Sequence, residues 1–145
     1  MTELGTAVAE LRQLAHGVRP SALDDGLPAA LRQLSGRSPT PLTLHIVEPL
    51  PEVPEIVGAT AYFVASEAVH NATRHAQAQR ISIVLKQQGV SISLRISDDG
   101  RGGARCAEGG GLAGLTDRVN ALGGELRLTS AEGRGTTLEA VLPCG

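Results

Sequence analysis

Glu67 and Asn71 stand four residues apart and are followed by Arg74 and His75. At offsets of four, seven and eight these side chains project from one face of a helix. An acid and an amide so placed offer oxygen donors to a hydrated divalent cation. Farther on, Asp98-Asp99-Gly100-Arg101-Gly102 sets a carboxylate beside flexible backbone. Gly109-Gly110-Gly111-Leu112-Ala113-Gly114 is a glycine loop feeding a helix, whose first N–H groups can receive phosphate. Gly135-Thr136-Thr137 completes the set. Taken singly, Asp98-Asp99-Gly100 reads as a turn and Glu67/Asn71 as a solvated helix face. Together the three chemistries are those a magnesium-nucleotide requires of a site that lacks a P-loop.

Other chemistries fit less well. Gly109-x-Gly111-x-x-Gly114 has the spacing of a dinucleotide fingerprint, with Glu132 about 20 residues on, but it follows Arg105-Cys106-Ala107-Glu108 where a strand is required. His16, His45 and His70 lack metal-ligand partners at useful spacing and read as structural or surface residues, so His75 alone among the histidines joins the candidate site. Cys106 and Cys144 form no C-x-x-C pair. That argues against a disulfide framework or zinc site and for a reducing, cytoplasmic setting. Thirteen Lys and Arg against fifteen Asp and Glu leave a formal charge of -2. No broad basic field is available to attract nucleic acid. No apolar run reaches the roughly 20 residues that span a bilayer, and Met1-Thr2-Glu3 does not open a signal peptide, so no membrane contact is expected. Tyr62 and Phe63 are the only aromatics. An adenine would therefore be held by aliphatic contacts and hydrogen bonds.

The positioning elements can be read from periodicity. Leu4, Val8, Leu11, Ala15 and Val18 form a helix-packing seam that is too short to be autonomous and reads as the end of a longer helical element, stopped by Gly17 and Pro20. A second helix is predicted from Pro28 to a break at Ser35-Gly36, then a β-like stretch from Leu42 to Val47. Pro49, Pro51 and Pro54 make a stiff connection too short to divide domains. Alanine-rich residues from Glu55 to about His75 predict the main helix. Arg80 to Leu85 and Val90 to Ile96 alternate around Gln88-Gly89, predicting a hairpin that delivers Asp98 at the end of its second strand. Arg101 to Gly110 reads as a lid, Leu112 to Leu122 as a helix. Glu125 to Thr129 and Thr136 to Leu142 read as strands joined by Glu132-Gly133-Arg134-Gly135. The predicted class is α+β: one domain with two layers, helices on one face of a mixed, mostly antiparallel sheet.

With these residues in view, the chain resembles the ATP-binding catalytic domain of sensor histidine kinases, in the superfamily shared with gyrase, the 90-kilodalton heat-shock chaperone and MutL-type ATPases, whose fold is the Bergerat α/β sandwich. Leu11-Arg12-Gln13-Leu14-Ala15-His16-Gly17-Val18-Arg19-Pro20 followed by Leu23-Asp24-Asp25-Gly26-Leu27 is similar to the junction between dimerisation helices and catalytic domain in nitrate-sensor and desaturase-sensor kinases. Glu67-x-x-x-Asn71-x-x-Arg74-His75-Ala76 resembles their N box and Asp98-x-Gly100-x-Gly102 their G1 box. Gly109-x-Gly111-Leu112-x-Gly114-Leu115 resembles G2, and Gly135-Thr136-Thr137 resembles G3. The resemblance divides the chain into 1–19, the end of a dimerisation helix and the junction, and 20–145, the catalytic domain.

The resemblance implies that Asp98 accepts a hydrogen bond from the adenine amino group and that Asn71 binds Mg2+ through its side-chain oxygen. Glu67 would order a metal-bound water or act as a base. Arg74 and His75 would lie near the phosphates, and Gly109, Gly111 and Gly114 would let the lid backbone approach them. Thr136 and Thr137 would reach the adenine side. Implied partners are ATP or ADP, the dimerisation and phosphoacceptor domain of a parent kinase that forms the homodimer, and, indirectly, a response regulator; the parent is free to be membrane-anchored. The chain departs from the family in lacking a His-Asp or His-Glu phosphoacceptor pair. It is therefore expected to bind ATP without phosphorylating itself. Two alternatives stay open: an anti-sigma-factor serine kinase, which would not be expected to carry the Arg19-Pro20 to Leu27 junction, and a non-catalytic nucleotide-sensing module of the same fold.

Overall fold

In the computed structural model the described residues are 21–74, 77–100, 111–130, 133 and 135–145, with 111 and 112 described by backbone alone. The predicted seam from Leu4 to Val18, the Arg19-Pro20 junction and the division after residue 19 lie outside these residues.

A 3-10 turn, Ser21–Leu23, leads into helix α1, Leu27–Arg37, which has Pro28 in its first turn. The predicted break at Ser35-Gly36 does not occur. Leu27, Ala30 and Leu31 are buried and anchor the helix, and Gly36 is exposed, so its cost of about 1 kcal/mol is absorbed. The helix ends at Arg37, whose guanidinium donates to the Tyr62 hydroxyl at 3.0 Å. Tyr62 is 1% exposed and meets Phe63 edge to face, with ring centroids 6.0 Å apart. Helix α2, Glu55–Arg74, matches the predicted main helix and buries Val57, Ala61, Val64, Ala65, Val69 and Ala72. Small alanine side chains let it lie close over the sheet. Helix α3, Gly111–Ala121, is anchored by Leu115 and Val119.

Strand β1 is Leu42–Ile46, β2 Ile81–Gln88, β3 Ser91–Asp98, β4 Glu125–Ser130 and β5 Thr136–Pro143. They form one five-stranded sheet in the order β1-β2-β3-β5-β4. Only β1 and β2 run parallel; the other neighbours are antiparallel. The class is the predicted α+β arrangement. Ile81, Ile83 and Leu85 on β2, Ile92, Leu94 and Ile96 on β3, and Leu138, Ala140 and Leu142 on β5 are all buried. Period-two alternation puts these residues on one face of the sheet. The helices cover that face, and α2 packs against β2, β3 and β5.

The register decides what stands at the edge of this layer. Leu42 pairs with Ile81, Ile81 with Asp98, Asp98 with Thr136 and Thr136 with Ser130. This row continues the buried alternation on the helix-covered side, but its members at β3, β5 and β4 are polar. The next row in from it, Thr43, Ser82, Ser97, Thr137 and Thr129, belongs to the opposite face. No helix among the described residues is long and apolar enough to cross a membrane.

Candidate nucleotide site

Asp98 is the last residue of β3 and is half-buried. Its Oδ1 accepts the Gly100 N–H at 2.8 Å, and the Thr136 N–H also donates to its carboxylate. Burial raises its pKa above the ordinary 3.8, opposed by those two backbone hydrogen bonds and assisted by the negative charge of Asp99. A carboxylate so fixed retains lone pairs for a further donor on the helix-covered side.

Gly135 explains why a glycine precedes the two threonines. It is buried with φ of 77°, and a Cβ built on it would overlap the Asp98 carbonyl oxygen. Only glycine combines a left-handed backbone with that approach. The Asp98 end of β3 and the start of β5 are thus pressed together by sequence choice. Thr136 shares Asp98's face, and its hydroxyl lies 2.9 Å from Ser130 Oγ. Ser130 had no motif to mark it; its alternation with Leu126 and Leu128 on β4 was the available signal.

Thr137 lies elsewhere. Its hydroxyl is 3.3 Å from Ser97 Oγ in the row of the opposite face, so alternation separates it from Asp98 and Thr136. The alternation of Leu138, Ala140 and Leu142, extended backwards, already assigns Thr136 to the buried face and Thr137 to the other.

Glu67 and Asn71 are half-buried in the C-terminal half of α2, with Arg74 exposed in its last turn. Thr73 Oγ1 lies 3.0 Å from Thr40 Oγ1 and ties that last turn to the segment entering β1. The chain then returns toward β3. Gln79 and Arg80 donate their backbone N–H groups to Asp99 Oδ1 at 2.8 and 2.9 Å. Arg74 and Gln79 are five positions apart, so their Cα atoms lie within about 18 Å. The segment that follows the helix carrying Asn71 and Arg74 is thereby tied, at Gln79 and Arg80, to the residue after Asp98. The sequence marks Asp99 only as a member of the Asp98-Asp99-Gly100 turn.

Gly111 opens α3, and Gly114 is exposed in its first turns. Among the described residues, a Cβ on Gly114 would meet nothing within 4 Å. Leu112 is described by backbone alone, as a helical residue. His75, Gly102, Gly109 and Cys106 lie outside the described residues. Gly100 is described, held to Asp98 by the bond given above.

The pattern of histidine kinase-, DNA gyrase B- and HSP90-like ATPases matches residues 58–145. The sensor histidine kinase MctS of Rhizobium johnstonii is 32% identical over 97% of this chain and 32% of its own length. The oxygen sensor histidine kinase NreB of Staphylococcus carnosus is 28% identical over 94% of this chain and 42% of its own. The chain thus spans about a third to two fifths of these relatives. Among solved structures, the histidine kinase domain of the blue-light activated kinase EL346 of Erythrobacter litoralis superposes with a TM-score of 0.63, over 81% of this chain and 59% of that one, at 22% identity. The histidine kinase AdeS of Acinetobacter baumannii gives 0.60, over 99% and 78%, at 16% identity, so these two likenesses speak for the fold. With this pattern over more than half its length, the chain belongs to the family of histidine kinase-, DNA gyrase B- and HSP90-like ATPases, as an ATP-binding domain of the sensor histidine kinase type.

Proposed function

We propose that this domain presents Mg-ATP to a histidine on a dimerisation domain outside the described residues, so that the γ-phosphoryl group passes to that histidine and from there to a response regulator. The observation that carries the reading is the Asp98 carboxylate, half-buried at the end of the helix-covered face and fixed by the Gly100 and Thr136 N–H groups. A fixed acceptor in that place suits the adenine amino group and disfavours guanine, which turns a carbonyl oxygen to the same position.

Thr136, held by Ser130, would complete the base side. Asn71 would contribute its side-chain oxygen to Mg2+, with Glu67 ordering a metal-bound water one helical turn earlier. Among the described residues no three His, Cys, Asp or Glu converge as a metal cage. Magnesium fits that setting, because it keeps several waters and takes few protein ligands beside phosphate oxygens. The bound metal would offset phosphate charge. Arg74 and His75 would neutralise and hydrogen-bond the phosphates, and Gly102, Gly109, Gly111 and Gly114 would allow close backbone approach around them. The setting proposed is cytoplasmic, where ATP is available.

The test is reconstitution. Labelled ATP is mixed with this chain and with the separately produced dimerisation helices of a parent kinase. Acid-labile label should appear on the helices, require magnesium, and be absent from this chain incubated alone. Stable phosphohistidine on this chain, or label on serine of a small antagonist protein, would overturn the reading.

A pH dependence follows from Asp98. Folding disfavours its charged form, so acidification through its raised pKa takes no stability from this group and returns some. Asp99 has the opposite sign: amide hydrogen bonds lower its pKa, so its stabilisation is present above 3.8 and lost as pH falls through the lowered value. Nucleotide affinity should follow Asp98, because protonation exchanges a charged acceptor for a weaker neutral one. Calorimetric titration of ADP should show affinity falling at a pH above 3.8, before the chain unfolds. An affinity flat down to the unfolding pH would refute the role of Asp98.

A further inference from the structure

We propose that Asp99 is a positioning residue: its carboxylate clamps the 77–80 loop and thereby fixes the α2 end that carries Asn71 and Arg74 against the strand end that carries Asp98. The proposal rests on the nucleotide reading above and gives that site a part which neither of its ends supplies.

Regular pairing between β2 and β3 ends at Ile81 and Asp98. One residue beyond, the backbone bond from the Asp99 N–H to the Arg80 carbonyl has stretched to 3.4 Å. The side chain takes over where the ladder fails. One oxygen, Asp99 Oδ1, accepts two consecutive N–H groups, from Gln79 at 2.8 Å and Arg80 at 2.9 Å. Bonds to an ionised acceptor are the stronger kind.

The clamped loop has reason to need holding. Gln77 has φ of 53°, a left-handed conformation that a residue with a side chain rarely adopts. The Ala78 N–H reaches back six residues to the Ala72 carbonyl at 3.1 Å, which ties the loop to the last turns of the helix. Residues 78–80 are therefore held from two sides, by the Ala78 bond to the helix and by Asp99. On the nucleotide reading Asp98 serves the base, while its neighbour acts on the far end of the site. Two adjacent acids thus hold different ends of one ligand, the second through protein backbone alone.

The test separates the two ends by ligand. Affinities of adenosine and of Mg-ADP are measured for the whole chain and for Asp99→Ala and Asp99→Asn, well below each variant's unfolding temperature. Adenosine engages the Asp98 end; Mg-ADP needs both. Asp99→Ala should weaken Mg-ADP by about tenfold, the low end of what loss of an orienting partner costs, and leave adenosine within about twofold. Asp99→Asn keeps an oxygen for the two amides and should restore Mg-ADP affinity to within about threefold. Equal losses for both ligands would reduce Asp99 to general support, and no loss for either would remove its role; both results overturn the proposal. An Asp99→Asn variant as weak as Asp99→Ala would overturn it too, by showing that charge acts rather than position. A native chain that binds neither ligand would instead sink the nucleotide reading itself.

Discussion

Gly135→Ala is expected to lower the midpoint of thermal unfolding by about 5–15 °C and to remove measurable nucleotide binding. Two costs add. A side chain at φ of 77° carries the left-handed penalty, about 1–2 kcal/mol. The new methyl would also overlap the Asp98 carbonyl oxygen, so backbone must move, at a further cost of about 1–3 kcal/mol. A total of about 2–5 kcal/mol is a large fraction of the stability of any domain, and at this chain length it corresponds to the midpoint shift given. The displaced atoms belong to Asp98 itself, which is why binding should fail even in molecules that remain folded. Gly133→Ala is the control. Gly133 has nearly the same φ, 78°, but among the described residues nothing lies within 4 Å of its Cβ position. It should show the conformational cost alone and keep nucleotide binding. Equal midpoints for the two variants, read by circular dichroism, would mean that the contact with Asp98 does not matter.

The placement of the proposed site residues on their elements was legible in the sequence. Glu67 and Asn71 could be placed on one helix because alanine-rich, proline-free sequence admits little else, and Asp98 could be placed at a strand end because two alternating runs flank Gln88-Gly89. The helix break expected at Ser35-Gly36 does not form because propensity weighs only about 1 kcal/mol at such a position, and the burial of Leu27, Ala30 and Leu31 outweighs it. Thr136 and Thr137 looked equivalent as a motif. They part company once the strand is extended, since neighbours in a strand face opposite sides. The contacts of Asp99 are not legible in the sequence, for a deeper reason. Its partners are the backbone N–H groups of Gln79 and Arg80, about 20 residues upstream. A main-chain donor leaves no trace in residue type. Side chains that meet side chains can be guessed from chemistry, but those that meet backbone depend on a register that only the assembled sheet reveals. The contact between Gly135 and Asp98 sits between these cases: the glycine is visible, its reason is not.

Asp98→Asn should cut affinity for adenine nucleotides by about 10–150-fold and abolish the preference over guanine. A carboxylate accepts from Gly100, from Thr136 and from an adenine amino group without conflict, because it is acceptor throughout. An amide has one oxygen and one NH2. Either the NH2 faces a backbone N–H, leaving buried donors opposed, or it faces the adenine amino group, with the same defect displaced onto the ligand. Losing a hydrogen bond to a charged acceptor costs about 1.5–3 kcal/mol, which sets the range. Guanine is treated differently, since its carbonyl oxygen can accept from that NH2, so the variant should gain for GDP part of what it loses for ADP. Thermal unfolding reads both. Native chain with magnesium and ADP at about a hundred times its dissociation constant should gain about 2.7 kcal/mol, whereas a variant fiftyfold weaker at the same concentration gains about 0.65. A variant that keeps the full ADP shift would show that Asp98 is not the base acceptor, and the pinned carboxylate would then serve only to hold β3 against β5.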